Sequence, residues 1–362
     1  MEYLQIYPSN LISPTLNPSK ATRYRNNIIF TIGYDSSSHL QIGPLQLDKT
    51  VKPAESNLLV SQLALTICQL FQEYLLTLSQ IPVYHTDTQE GFWRHIQVRE
   101  NTKKDYLINL RVHNLSNYQE LFHQETEMLI SFLKKRTDYH LLQINYQEII
   151  GKKEPTPQDE IYCLYQHSEL YQIMLGKIFE IHPLAFFQVN YETATLIFQK
   201  VRDLIIPNTL STLLDVCCGV GVYSIILADL FQNTIGIDSN PCNIKAAKSL
   251  TRLNNVEHKC EFIEGKVENE VQKLLSNNNI TVILNPSRSG INEKLALFWR
   301  QNFAKVEQFI YVSCNPKTLV RDLQRMNISL EDILEIIPVN QFPNTKELEV
   351  IVNIKLKGVN RS

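Results

Sequence analysis

From residue 213 the chain reads LLDVCCGVGVYSIILA: an apolar strand, a turn holding Gly219 and Gly221, then the apolar start of a helix. Glycines at such a turn let the backbone bend sharply and approach a ligand at the carboxyl edge of a strand. The pattern around it, from His182 onward, alternates. Helices are predicted over 191–206 and from about residue 222, and strands at 212–216, 234–237, 261–263, 281–284 and 309–313. Strands separated by helices imply a parallel sheet with crossover helices. The fold class expected for residues 181–362 is therefore α/β, a doubly wound, Rossmann-like sheet.

The preceding half has a different texture. Short β-rich runs (NIIFTIGY, HIQVRE, DYLINLRV) flank one apolar segment, 58–78, in which Gln62, Thr66, Gln69, Glu73 and Thr77 recur at helical spacing. That stripe marks an amphipathic surface helix, not a membrane span. A second helix is expected near 119–135, further strands lie between 139 and 180, and GKKEPTPQDE is expected to be an exposed loop. At 362 residues two domains are favoured over one. We expect an α+β domain over 1–180 and the α/β domain over 181–362, with the boundary near 175–190.

With 35 basic residues against 37 acidic ones, an anionic partner has to be met by a local patch. The seven cysteines form no CxxC pair, which fits a reduced, cytosolic chain and argues against a metal or iron–sulfur site. The first residues, MEYLQIYPSN, lack the basic and apolar regions of a secretory signal. A cytoplasmic location is expected.

Asp238 lies nineteen residues beyond Gly219, at the end of the strand NTIGID, where a carboxylate can accept hydrogen bonds from ribose hydroxyls. There is no third glycine, so a dinucleotide pyrophosphate is less favoured than a ligand without phosphates, such as S-adenosylmethionine. Asp215 could then meet the cofactor's amino acid end. The plainer alternative is a tight strand-to-helix turn of any doubly wound fold, with Asp215 as a turn residue.

Two later segments follow apolar strands: LNPSRSGI at 284–291 and YVSCNPKTLVRD at 311–322. Both belong at the sheet's carboxyl edge, where open α/β sheets bind ligands. There Cys314 would leave a buried strand close to a helix N-terminus, a placement that favours the thiolate.

Together with HPLAFFQVN at 182–190, FPNTKELEV at 342–350, RYRNN at 23–27 and GFWRHIQVRE at 91–100, these segments resemble the RNA (uracil-5-)-methyltransferases, and most of all their tRNA branch. The resemblance implies S-adenosylmethionine as cofactor and a uridine in RNA as substrate, with the T-loop uridine of tRNA preferred. It implies Cys314 as the nucleophile that adds to C6, Glu349 as the base that removes the C5 proton, and Arg288 as an assisting guanidinium. Gln188 and Asn285 join Asp215, Gly219, Gly221 and Asp238 on the cofactor side. For RNA contacts the candidates are Arg25, Arg94 and Arg99, with Arg23, Lys103, Lys104 and 134–136 as further basic clusters; Phe187, with Phe186 and Phe342, is a candidate stacker for an extruded base. A monomer is expected.

Five positions depart from that pattern. Asn285 and Ser287 stand where an acidic residue and a second proline are usual, and Asn285 lacks the charge that would attract a sulfonium. Glu347 replaces a common histidine, so two carboxylates flank one site; if both point inward, one pKa rises. Asp238 replaces a glutamate, and Cys217 is expected to line the loop, not to act as a second nucleophile. Two other readings stay open: a non-catalytic RNA-binding or RNA-folding factor, suggested by Asn285 and Ser287, and an amino-methyltransferase.

Overall fold

The computed structural model describes residues 2–149, 160–206, 208–274 and 280–355. The expected loop GKKEPTPQDE, apart from Glu160, lies outside the described residues, as do Asn277, Asn278 and Asn279. In chain order the elements begin with β1 (Asn27–Tyr34), β2 (Leu40–Gly43), α1 (Gln62–Thr77), β3 (Trp93–Glu100), β4 (Asp105–Val112), α2 (Leu115–Arg136), β5 (His140–Glu148) and β6 (Tyr162–Gln166). They continue with β7 (Tyr171–Met174), β8 (Lys177–Glu180), α3 (Tyr191–Leu204), β9 (Asn208–Val216), α4 (Val222–Ile226), β10 (Phe231–Asp238), α5 (Pro241–Leu253), β11 (Cys260–Glu264), α6 (Val267–Leu274) and β12 (Ile280–Leu284). The last are α7 (Glu293–Asn302), β13 (Val306–Ser313), α8 (Pro316–Arg325), β14 (Ile333–Val339) and β15 (Glu349–Lys355).

Two compact units result. One comprises residues 20–172 and 180–191; the other comprises 1–19, 173–179 and 192–362. This differs from a single break after residue 180. Ser13 and Leu16 donate backbone hydrogen bonds to Ile336 and Pro338, both at 2.9 Å, so the first residues lie along β14 and belong with it.

The first unit is built on a six-stranded sheet in the order β2-β1-β3-β4-β5-β6. All neighbours are antiparallel except β4 and β5, between which α2 supplies the crossover a parallel pair requires. Alternation along the strands turns Ile28, Phe30, Ile96, Val98, Ile108, Leu110 and Ile144 into one core with α1 and α2. Helix α1 starts where the Ser61 side chain accepts from the Ala64 amide at 3.0 Å, and it buries Leu63, Ile67, Phe71 and Tyr74 while the five-residue polar stripe stays out of the core. Among the described residues no helix is long and apolar enough to cross a membrane. The alternate strand positions are polar yet covered: Gln97, Arg99, Asn109, Arg111, Asn145 and Gln147 are all buried.

The second unit carries the sheet β11-β10-β9-β12-β13-β15-β14. From β11 to β13 all pairs are parallel, whereas β15 runs antiparallel between β13 and β14. The order reverses at β9, the topological switch point at which such sheets hold ligands. Strand β14 is not legible as a strand because it contains Pro338; at the sheet's edge the missing amide costs no ladder bond.

Candidate active site

Strand β13 ends at Ser313, whose partner in β15 is Val350. Antiparallel pairing therefore brings Cys314, the next residue, level with Glu349, the first of β15. Asn315 caps α8: its side chain accepts from the Lys317 amide at 3.1 Å and donates to the Arg288 carbonyl at 3.3 Å. Thr318 Oγ1 donates to the same carbonyl at 3.4 Å, so the loop after β12 is tied to the start of α8.

Buried Asp322 braces that loop from behind, accepting from the Tyr311 hydroxyl at 2.7 Å and the Ile291 amide at 2.9 Å. Gly290 has φ +72°, and a Cβ there would meet Asp322 Oδ2 at 2.2 Å, so only glycine fits. Neither residue's bracing role was assigned from sequence, although both lie inside the two quoted motifs.

Electrostatics separate the two carboxylates. Glu349 is 8% exposed, and burial pushes its carboxyl up to about 7 against the opposing pull of Arg288. Glu347 is exposed and pairs with Arg288 at 3.3 Å, so the raised Glu349 is explained by burial and not by a carboxylate pair pointing inward. Half-buried Cys314 has its thiol pushed up by burial first and by Glu349 second, with Arg288 and its own backbone amide opposing. The thiolate expected from the helix N-terminus is therefore not favoured in the free protein: desolvation and a neighbouring carboxylate outweigh the helix end.

The β9–α4 loop gathers the second group. Asp215 is fully buried; its Oδ2 accepts from the Ser224 amide and hydroxyl at 3.0 and 2.8 Å, while its Oδ1 has no partner. Burial pushes its carboxyl up to about 6. Asp238 accepts from the Gly219 amide at 2.9 Å and the Asn240 amide at 2.8 Å, which joins the ends of β9 and β10. Gly219 has φ +55° with open space where a Cβ would stand, whereas a Cβ on Gly221 would strike the Phe262 ring at 2.5 Å. The Asn285 amide donates to the Val216 carbonyl at 3.2 Å, bringing the β12 end beside this loop. Half-buried Cys217 has its thiol pushed up to about 12 by burial and the two aspartates, which suits a lining residue.

The remaining candidates belong to the other unit. Gln188 is half-buried, and its carbonyl accepts from Asn26 at 3.1 Å. Arg25 is exposed, and Arg94 lies 4.9 Å over the Tyr84 ring. Two assignments are corrected. Arg99 is 2% exposed, its guanidinium spent on backbone carbonyls, so it is not a surface contact for phosphate. Phe187 is 6% exposed and packs on Tyr191 at 6.0 Å, whereas its neighbour Phe186 is 80% exposed.

The structure of Pyrococcus abyssi tRNA (uracil-54, C5)-methyltransferase in complex with S-adenosyl-L-homocysteine is similar with a TM-score of 0.77 and 23% identity, over 98% of this chain and 81% of its own. The fold is thus that of the Rossmann-like methyltransferases carrying a further α+β unit. Residues 177–357, half of the chain, match the tRNA (Uracil-5-)-methyltransferase family, and the chain belongs to it. An uncharacterized RNA methyltransferase of Clostridium tetani is 30% identical over 77% of this chain and 59% of its own. The tRNA (uracil-5-)-methyltransferase homolog B of Danio rerio is 29% identical over 72% and 58%, and the tRNA (uracil(54)-C(5))-methyltransferase of Pyrococcus horikoshii is 27% identical over 76% and 61%. The chain spans about three-fifths of the length of these relatives.

Proposed function

We propose that this protein methylates C5 of a uridine in RNA, with S-adenosylmethionine as methyl donor and Cys314 as nucleophile. The observation that carries the reading is the placement of Cys314 level with Glu349 across β13 and β15, with Arg288 acting on both. The β9 loop fits the cofactor: Asp215 Oδ1 is a buried acceptor without a partner, and Gly219 leaves open space in front of the backbone. Asp215, Gly219, Gly221, Asp238 and Asn285 would hold it. When bound, it supplies an electrophilic methyl group at a sulfonium.

Uracil C5 is a weak nucleophile until a group adds at C6. The Cys314 thiolate forms the C6–S bond, and the electron pair of the 5,6 double bond moves toward C5. After C5 is methylated, Glu349 takes the C5 proton, the double bond re-forms and the C6–S bond breaks. A carboxyl with a pKa near 7 suits that exchange at neutral pH. Arg288 stabilises the thiolate that burial disfavours.

The preferred RNA is tRNA and the preferred site its T-loop uridine, in line with the names of the two Pyrococcus proteins. Incubation with unmodified tRNA and labelled S-adenosylmethionine, followed by nucleoside analysis, tests the reading. 5-Methyluridine from the natural protein and none from Cys314→Ala is expected. RNA binding with no methyl transfer to any RNA would replace the reading with a folding factor.

A further inference from the structure

We infer that Asp322, with Arg321 beside it, is the positioning residue for Arg288: one face of α8 holds the turn 287–290 and so sets where the Arg288 guanidinium stands. The inference deepens the proposed function, because it takes Arg288 to assist Cys314. That guanidinium does not fix itself. Arg288 and Glu347 are both exposed, and an exposed ion pair such as theirs, at 3.3 Å, contributes little.

The backbone beneath it is held instead. The Gly290 amide donates to the Ser287 carbonyl at 2.8 Å, closing a β-turn with Arg288 at its second position. Asn315, Thr318 and Asp322 follow one another at steps of three and four, so they share one face of α8, and each bonds to this loop. At the start of the helix Asn315 and Thr318 donate to the Arg288 carbonyl. One turn on, Asp322 Oδ2 accepts from the Ile291 amide at 2.9 Å and the Tyr311 hydroxyl at 2.7 Å, while Oδ1 accepts from Arg321 Nε at 2.9 Å and Nη2 at 2.7 Å. Arg321 Nη2 reaches on to the Ser289 carbonyl at 2.7 Å.

Asp322 is fully buried, and burying a carboxylate is unfavourable unless its lone pairs are met; four donors meet them here. The turn lies directly on the pair, since a Cβ on Gly290 would meet Asp322 Oδ2 at 2.2 Å and Arg321 Nη2 at 2.6 Å. Cys314 stands immediately before Asn315, the cap of the same helix. One rigid element therefore spaces the nucleophile from the turn that carries the arginine.

The test is the pH profile of Cys314 alkylation by iodoacetamide, read on its own peptide by mass spectrometry without RNA, in Arg288→Ala, Asp322→Asn and the double variant. Burial and then Glu349 raise this thiol, Arg288 lowers it and Glu347 raises it. Arg288→Ala should move the profile to higher pH by up to about one unit, and Asp322→Asn should move it the same way by less, with the double variant no further than Arg288→Ala. Removing a carboxylate that acted on the thiol directly would do the opposite and lower the profile. The Ile291 amide should also exchange faster in Asp322→Asn. A downward shift in Asp322→Asn, no shift, or shifts that add in the double variant would overturn the inference. If the profile rises as expected but Cys314→Ala still methylates RNA, the positioning stands and the nucleophile reading falls. Should Asp322→Asn not fold, Tyr311→Phe removes a neutral donor to the same carboxylate; an upward shift is expected there too, and its absence overturns the inference.

Discussion

In the seven-stranded sheet the motif residues follow strand ends: Cys217 after β9, Asn285 after β12 and Cys314 after β13 are half-buried, and Arg288 is exposed. In the six-stranded sheet the motif residues sit inside β3, and Gln97 and Arg99 are covered at 4% and 2% exposure. The difference teaches how to weigh a motif. A parallel strand ends in a loop that is free to meet a ligand. Gln97 and Arg99, inside β3, are covered by neighbouring segments, and their polar groups go to holding those segments.

The largest break in that comparison is expected at a strand start that is buried. Glu349→Gln should slow methylation by about 10²–10⁴-fold and let a covalent protein–RNA adduct accumulate, visible on a denaturing gel. An unchanged rate would remove Glu349 from the chemistry. In the natural protein the rate should rise with pH through about 7 as this carboxyl ionises.

The same group makes stability depend on pH. Its carboxyl holds a proton more tightly in the folded chain than in the unfolded one, so ionisation opposes folding. The contribution is intact below about 4.5 and is lost as pH climbs through about 7. By pH 8 Glu349→Gln should exceed the natural protein in stability by on the order of 3 kcal/mol, fading toward pH 4.5. Denaturant titrations at both pH values, without ligands, check this; equal stability at pH 8 would mean the carboxyl is not held in a desolvated place.

A smaller effect separates Arg25 from Arg99. Arg25→Ala should weaken tRNA binding a few-fold and lower the salt dependence by about one counterion. Unchanged RNA binding and salt dependence would remove Arg25 from the RNA surface. Smallest is Glu347→Gln: removing a carboxylate that raises the Cys314 thiol should move its alkylation profile to lower pH by less than about one unit. A shift to higher pH would mean that Glu347 acts mainly by holding Arg288 in place.

The alternation of strands and helices after residue 182 and the glycine turn were enough to expect the doubly wound sheet, because spacing and local propensity carry that information; Cys314 and Glu349 were named as nucleophile and base only through the resemblance of their segments to a family. Side-chain surroundings are not written in spacing. Glu349 reads as an exposed carboxylate, yet as the first residue of β15, paired with Val339 of β14, it is buried, while Glu347, two residues earlier, stays outside. Phe186 and Phe187 are the same residue type and opposite in exposure, and the covered ring, Phe187, is the one that packs on Tyr191. The fate of Arg99 was settled the same way: charge alone suggests phosphate, but three carbonyls brought within reach by the chain's return at 182–185 claim the guanidinium. The sequence by itself determined the succession of strands and helices in the second unit, because local periodicity carries it. Tertiary structure decided which charged and aromatic groups lose contact with water, because burial depends on segments far apart along the chain.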